Sequence, residues 1–441
     1  MSDLSQMSNR RRWLAIMTYG LANGIIYLLP YVQYTYYDSM RGALQLNNTQ
    51  LGTLISVFGL INAVLYPIGG LFLDKYAKDK LFIIAALVIT GAGGFYLATY
   101  PNYVGSLLIM SLWAFTTTFL FWTAFINGKR RLGTGANMGR VFGLSESFSM
   151  FCGLFASSTG LIIFQYYHES FRSIIIYYSL LHFVAAIICM IFLPADPKDV
   201  KVEGKKHSGN DVNVMEGLRL LIKRKDIWYI CVIVFCSYGI GMTIGKLNPY
   251  LTGVFGLSIV LAATISIANQ YAIPIIGPSS GGIIADKMKC STRFIRNCFI
   301  WLAIASTALI FIPGKASFVI MAVIFGLSIK LVQTCQRGAY WVPMTDTRIP
   351  EKYSGTAIGL VSFLGFLPEA FLQTLWGKVL DIYANNQIVG YKIIWGGVLV
   401  MSVVGFIFCL LLIRDFKQRG ILDAKGQVIP WTDPEAEKTE G

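Results

Sequence analysis

Hydrophobic residues in this chain run in long blocks separated by short polar stretches. Crossing hydrocarbon as a helix takes about 20 apolar residues. Twelve blocks qualify: 13–37, 51–74, 81–100, 105–127, 141–166, 173–193, 227–249, 257–285, 294–312, 316–338, 353–381 and 392–413. The pattern predicts an all-α membrane protein of twelve transmembrane helices, with the lipid bilayer as its solvent. Several blocks exceed the minimum, which permits tilt. The first follows Arg10, Arg11 and Arg12, is too long for a signal-peptide core and has no small-residue cleavage site after it, so it reads as a retained span.

Composition agrees. Hydrophobic residues make up 55% of the 441 positions and charged residues only 14%, with mean hydropathy +0.59, against about 25% charged in a soluble domain. Soluble globular and disordered classes are excluded. The formal net charge of +14 raises nucleic-acid binding, but the positions of the charges answer it. With twelve spans both termini share a side, and 30 of the 37 Lys and Arg fall there. This is the positive-inside pattern, so both termini are expected in the cytoplasm. No basic, aromatic-interleaved module is present, and no nucleic-acid partner is expected. The eight Cys show no metal-ligand spacing and no outer disulfide framework. The three His lie in three regions, and His182 reads as a packed helix residue. No metal or cofactor is expected.

The chain repeats itself. Span two ends Gly69-Gly70-Leu-Phe-Leu-Asp74-Lys75, and span eight ends Gly281-Gly282-Ile-Ile-Ala-Asp286-Lys287, an offset of 212 residues from Gly70 to Gly282. Gly139-Arg140-Val-Phe-Gly143-Leu144 opens span five, and Gly355-Thr-Ala-Ile-Gly359-Leu360 opens span eleven. Parallel six-span halves related by a pseudo-two-fold along the membrane normal are expected: 1–193, then a cytoplasmic linker 194–226, then 227–420, with a polar tail 421–441. From Val212, apolar residues at Met215, Leu218, Leu221 and Ile222 fall at helical spacing among cations, which predicts an interfacial helix in the linker.

The stretch Gly70-x-x-x-Asp74-Lys75-x-Ala77-Lys78, with its copy at Asp286, resembles the loop 2–3 signature of the major facilitator superfamily. It departs from that signature at Ala77, where a glycine is usual, and at Asp79, where a second basic residue is common. Finer matches are similar to the YihN-like inner-membrane transporters of bacteria. They include Ile227-Trp228, Val234-Phe-Cys-Ser-Tyr238, Asn248-Pro249-Tyr250-Leu251-Thr252, Arg337-Gly-Ala-Tyr-Trp341 and Gly365-x-x-Pro368-Glu369. The resemblance implies a multi-pass transporter of a bacterial cytoplasmic (inner) membrane. It also implies that spans 1, 2, 4, 5, 7, 8, 10 and 11 line the path and that 3, 6, 9 and 12 face lipid. In the family the loop signature is a latch. Asp74 is thus expected near the start of span eleven and Asp286 near the start of span five, where helix N-termini favour a carboxylate. Gly70, Lys75, Gly282, Lys287, Arg140 and Glu146 are read as parts of this latch.

Four ionisable groups lie well inside spans: Glu146, Lys246, Lys330 and Glu369. Such charges are costly and face a cavity or a partner. Counted at about 1.5 Å per residue, Lys330 and Glu369 lie near the midplane on consecutive antiparallel spans, so they are expected to pair. Lys246, in the outer third of its span, could snorkel outward. Glu369 is the candidate proton-coupling residue, and Lys330 and Lys246 are candidates for holding solute. Neutral candidates for solute binding are Asn23, Tyr27, Tyr31, Asn62, Trp122, Gln270, Gln333 and Gln373.

No phosphate-loop signature marks an ATPase, and no convergent acid/base set marks a membrane enzyme. The leading expectation is a secondary transporter, proton-coupled and working by alternating access on a small polar organic solute. An organic-anion exchanger or uniporter of the same fold is the first alternative; a membrane enzyme or transporter-like receptor is more distant. Two lysines and two carboxylates inside the spans favour a zwitterion or monocarboxylate. No Arg lies at the midplane, which lowers phosphate esters. The protein is expected to act as a monomer.

Overall fold

A computed structural model describes residues 8–76, 78–132, 138–195, 214–349 and 353–429, without the side chains of 66–76, 138–140, 214, 215, 354 and 355. The described chain is helical and contains no strand; one antiparallel bridge joins Leu422 and Val428. In chain order the helices are α1 (Asn9–Ile26), α2 (Tyr37–Ala43), α3 (Asn48–Tyr76), α4 (Asp79–Leu97), α5 (Tyr103–Ala114), α6 (Thr123–Leu132), α7 (Met138–Tyr166) and α8 (Phe171–Phe192). After the linker come α9 (Val214–Ile222), α10 (Lys225–Thr243), α11 (Leu247–Phe255), α12 (Ile259–Ile267), α13 (Ile273–Met288), α14 (Ser291–Phe311) and α15 (Val319–Arg337). The last are α16 (Val342–Asp346), α17 (Ser354–Gly365), α18 (Leu372–Ile382) and α19 (Gln387–Gln418).

Eleven stretches among the described residues are long and apolar enough to cross a membrane. They match expected spans two to twelve, and several are built from two helices in series. Span one departs from the expectation of a single helix over 13–37. Helix α1 begins in the Arg10–Arg12 run, which lowers its mean hydropathy, and stops at Ile26. Pro30 supplies no N–H and disfavours helix at Leu29. A turn follows, then a 3₁₀ segment, Val32–Tyr34.

The chain divides into two compact units. The first holds Met1–Glu203, Asn248–Ile275 and Gln373–Asp381; the second holds Gly204–Leu247, Ile276–Leu372 and Ile382–Gly441. In the first unit, buried Asp79 opens α4 and ion-pairs with Arg131 at 3.1 Å, while Lys80 donates to the Leu193 carbonyl. The departure from the family pattern at Asp79 thus has a partner. His182 is fully buried, with Nδ1 at 2.7 Å from the Tyr178 carbonyl and Nε2 at 3.4 Å from that of Ile26, which is a packing role.

In the second unit, α9 lies within the expected interfacial helix, whose first residues fall outside the described chain. Trp228 bonds the Ile222 carbonyl at its end. Asp226 is 2% exposed at the start of α10. Arg224 grips it with two bonds, at 3.1 and 2.6 Å, and Arg419 adds a third at 2.6 Å. Both guanidinium groups also donate to the Thr347 carbonyl. One carboxylate thereby ties α10, the segment after α16 and the end of α19. Breaking a fully buried pair costs about 3–5 kcal/mol. Both arginines keep some solvent contact, so Asp226→Asn is expected to cost about 2 kcal/mol, read as a lower melting temperature of purified protein. An unchanged melt would assign the support to the Thr347 carbonyl instead.

Candidate functional site

Five spans lose regular α-helix part-way along. Span one breaks at Pro30. Span four carries a π-helical stretch, Phe115–Trp122, between α5 and α6. Span seven narrows to a 3₁₀ turn, Ile244–Lys246, and span eight has a π segment, Ala268–Ala272. Span eleven has a 3₁₀ turn, Leu367–Ala370. Four of these breaks lie within five residues of a proline: Pro30, Pro249, Pro274 and Pro368. A proline clashes with the carbonyl four residues back, and a local change of helix type relieves the clash. In span four threonine takes that part: Thr116 and Thr117 hydroxyls bond the Trp113 carbonyl at 3.1 and 2.7 Å and compete with the helix for it. Breaks of this kind mark functional segments.

In the first unit the breaks bring together aromatic and amide groups. Tyr27 stacks on Tyr31 (5.7 Å between centroids), which meets Tyr34 and the edge of Phe58; Phe121 of the π segment stands edge-on to Tyr27. The three tyrosines are half-buried. Trp122 packs beside Phe125. Buried Asn62 accepts from Thr118 at 2.7 Å, and buried Asn23 donates to Ser149 at 2.8 Å. Gln270 accepts from Thr35 at 3.4 Å. Gln33 is 1% exposed, and neither end of its amide is bonded to a described residue. It was not among the sequence candidates; an amide inside a tyrosine run was its only signal.

In the second unit Glu369 is buried and accepts the Tyr238 hydroxyl at 2.7 Å. Tyr238 packs on Phe366, against which Trp341 stands edge-on. Buried Gln333 donates to the Ser237 carbonyl at 3.3 Å, and Ser237 bonds Gln336 at 2.8 Å. Among the described residues no ion pair joins Lys330 to Glu369. The 3₁₀ turn that contains Pro368 changes the direction of Glu369, and its phenolic partner comes from α10. Lys330 is half-buried, with no carboxylate partner among the described residues. Lys246 does not snorkel: it is 1% exposed inside its 3₁₀ turn.

The expected latch is described only in part. Gly70, Asp74 and Lys75 lie in α3 and Arg140 in α7, all with side chains outside the description. Asp286, Lys287 and Glu146 are exposed, and Gly282 is half-buried with open space at its Cβ position. Its neighbour Gly281 packs on span ten, where a Cβ would lie 1.9 Å from the Cys335 carbonyl oxygen.

A second carboxylate contact was not foreseen. Asp381, at the end of α18, sits on the N-terminus of α3. It accepts from the Asn48 and Thr49 backbone N–H groups at 3.0 and 2.8 Å, and from their side chains at 2.8 and 2.5 Å. All these residues belong to the first unit. The helices touch backbone to backbone, because a Cβ on Gly52 would lie 2.1 Å from the Gln373 oxygen and one on Gly377 2.2 Å from that of Asn48. Buried Gln373 lies in this contact. Nearby, Asn248 donates to the Thr35 carbonyl at 2.9 Å and Thr252 to Asp38 at 2.6 Å. The Asp381 contact is worth about 1–2 kcal/mol. None of the eight native cysteines is exposed, so a cysteine introduced at exposed Gln45 reports on this end. Asp381→Asn is expected to raise its labelling by an impermeant maleimide several-fold, and Gly377→Leu more. Equal rates in all three backgrounds would show that the contact does not hold this end closed.

Comparison with known proteins agrees with this geometry. The family model described as Major Facilitator Superfamily matches residues 13–368. Inner membrane protein YihN of Escherichia coli K12 is 29% identical over 421 residues, covering 94% of this chain and 98% of that protein. A probable sulfoacetate transporter, SauU of Cupriavidus necator H16, is 21% identical over 342 residues, covering 73% and 76%. A solved bacterial homologue of the human lysosomal transporter Spinster, inward-facing and unoccupied, aligns with a TM-score of 0.74 at 13% identity, covering 93% of this chain and 99% of that one. The chain belongs to the Major Facilitator Superfamily: it is a multi-pass membrane protein with a transporter fold, and not an enzyme.

Proposed function

We propose that the protein is a secondary active transporter that moves a small organic anion or zwitterion across a bacterial cytoplasmic membrane by alternating access, coupled to protons. In this reading it is a twelve-span monomer with both termini in the cytoplasm, supported by the one-sided distribution of Lys and Arg. The observation that carries the coupling is the buried Glu369–Tyr238 hydrogen bond at a proline-broken turn. When Glu369 is charged it occupies the Tyr238 hydroxyl. When it takes a proton, that hydroxyl is released to donate to solute, and Lys330 meets the solute's negative group. The tyrosines 27 and 31 with Trp122 provide apolar faces; Asn23, Asn62, Gln270, Gln333 and Gln373 provide amides. Lys246 adds a second cation, this one buried. A relative described as a probable sulfoacetate transporter supports an acidic solute.

The gates follow from carboxylates on helix ends. The Asp381 contact closes the outer side in one state. Asp74 and Asp286, with Gly70, Lys75, Gly282, Lys287, Arg140 and Glu146, close the cytoplasmic side in the other. Asp74→Asn is expected to slow transport several-fold without changing the melting temperature; wild-type uptake would remove the cytoplasmic latch from the scheme.

The substrate class is found by screening metabolites for thermal stabilisation of purified protein, and coupling is read in proteoliposomes. Glu369→Gln is expected to abolish accumulation driven by an imposed pH gradient while retaining exchange of labelled for unlabelled solute. Wild-type accumulation in this variant would remove Glu369 as the coupling residue.

A further inference from the structure

The second unit holds a cavity of about 560 Å³ where the start of α14 meets the end of α19. Four cations line it, Arg293 and Arg296 from α14 and Arg414 and Lys417 from α19, over an apolar wall that includes Leu410 and Ile413; among the described residues no carboxylate is in the lining. The neighbouring acid, Asp415, is already ion-paired with Arg419 at 3.2 Å. Arg293 is held in place by the Lys425 carbonyl, to which its Nη1 donates at 3.1 Å. The segment carrying Lys425 is pinned in turn by the Leu422–Val428 bridge and by Val428 N–H on the Lys289 carbonyl. Arg414 and Lys417 are exposed and make no ion pair with a described residue.

The cations continue into apolar stripes. On α14, Arg296, Ile300 and Ile304 are spaced i, i+4, i+8. On α19, Val403, Ile407, Leu410, Arg414 and Lys417 follow the three-and-four spacing of a single helix face. All five apolar residues of the stripes are exposed, from 41% at Leu410 to 53% at Ile304. A helix face that is apolar and exposed in a membrane protein meets acyl chains, and a cationic cluster at its end meets headgroups. The fold does not demand the cluster. At the offset of the internal repeat, the first half carries Leu81 and Ile84 where the second carries Arg293 and Arg296.

We propose that this cavity is a binding site for an anionic phospholipid carrying two phosphates, with the phosphates among Arg293, Arg296, Arg414 and Lys417 and the acyl chains along the α14 and α19 stripes. Four cations with no acid among the described lining residues match a headgroup of two negative charges better than one of zero net charge. The exposed stripes distinguish a lipid from a free polyphosphate. The site stands on spans nine and twelve, apart from every residue assigned to solute or proton.

Native mass spectrometry of the purified full-length protein tests this, with tetraoleoyl diphosphatidylglycerol, dioleoyl phosphatidylcholine and inorganic pyrophosphate as probes. Diphosphatidylglycerol is expected to bind at least ten-fold more tightly than phosphatidylcholine, and pyrophosphate at equal concentration is expected not to displace it. Each surface cation contributes about five-fold to anionic lipid binding, so Arg414→Gln/Lys417→Gln is expected to weaken it about thirty-fold. Arg296→Gln, expected to weaken it about five-fold, serves as an independent variant. Undiminished lipid affinity in both variants overturns the proposal. So does equal binding of phosphatidylcholine, and full displacement by pyrophosphate would make the cavity a soluble-anion site.

Discussion

In hydrocarbon a peptide group without a hydrogen bond costs several kcal/mol, so a span can abandon α-helix only where protein groups take over the lost bonds. That constraint arranges this molecule. Helices α4, α8, α14 and α19, which expose isoleucine, leucine, valine and phenylalanine, run unbroken. Breaks fall in spans one, four, seven, eight and eleven, each beside buried polar side chains. Near Pro30 the Thr35 carbonyl is met by Asn248. In span four the threonine hydroxyls reuse the Trp113 carbonyl. Beside Pro368, Glu369 is satisfied by Tyr238. Irregular backbone and buried polar side chains therefore coincide, and the proposed solute and proton groups lie in or beside the same segments.

The same constraint explains what could be read from the chain. Length and apolarity suffice to locate helices, because in a bilayer nothing else satisfies the backbone. Spans two to twelve appear accordingly, whereas the close approach of Gly281 to the Cys335 carbonyl was not read from the glycine pair at the end of span eight. Azimuth is harder. Depth along an ideal helix puts Lys330 and Glu369 both near the midplane, but a 3₁₀ turn advances about 120° per residue rather than 100°. Past Pro368 the direction of a side chain no longer follows from counting. The same holds for Lys246, which a regular helix would let reach outward and a 3₁₀ turn buries. Asp381 was illegible for another reason. A carboxylate at a span end is ordinary, and its partners Asn48 and Thr49 stand more than three hundred residues earlier.

Charge is divided in a comparable way. The excess of Lys and Arg looks uniform as a net value, yet its members are in different physical situations. Arg224 and Arg419 are committed to Asp226, Arg131 is committed to Asp79, and Arg414 and Lys417 have no described acid. Committed cations join helices; those without an acid among the described residues, beside exposed apolar stripes, are the ones we propose to meet an anionic lipid. Topology alone would be satisfied by any of these arrangements, so the positive-inside bias accounts for where the cations are and not for how they are paired.

Helix α3 connects these themes. It spans 29 residues, about 43 Å, with Asp381 on its N-terminus and Asp74 within its last turn. In the proposed cycle the two ends latch in alternate states, each through a carboxylate on a helix N-terminus. Such a contact is worth about 0.3–1 kcal/mol, and up to about 2 where it is partly buried. The modest size is what the cycle requires. Moving a two-state equilibrium from 1:99 to 99:1 takes about 5.5 kcal/mol, and a latch of that strength would hold the protein in one state against any solute of ordinary affinity. A latch near 1.4 kcal/mol biases the states about ten-fold. Protonation of one buried carboxylate, or the seating of one charged solute, is then enough to reverse the bias. Close backbone contact through Gly52 and Gly377 supplies shape without adding charge, so in the proposed cycle an end closed by this contact can be well packed and still open.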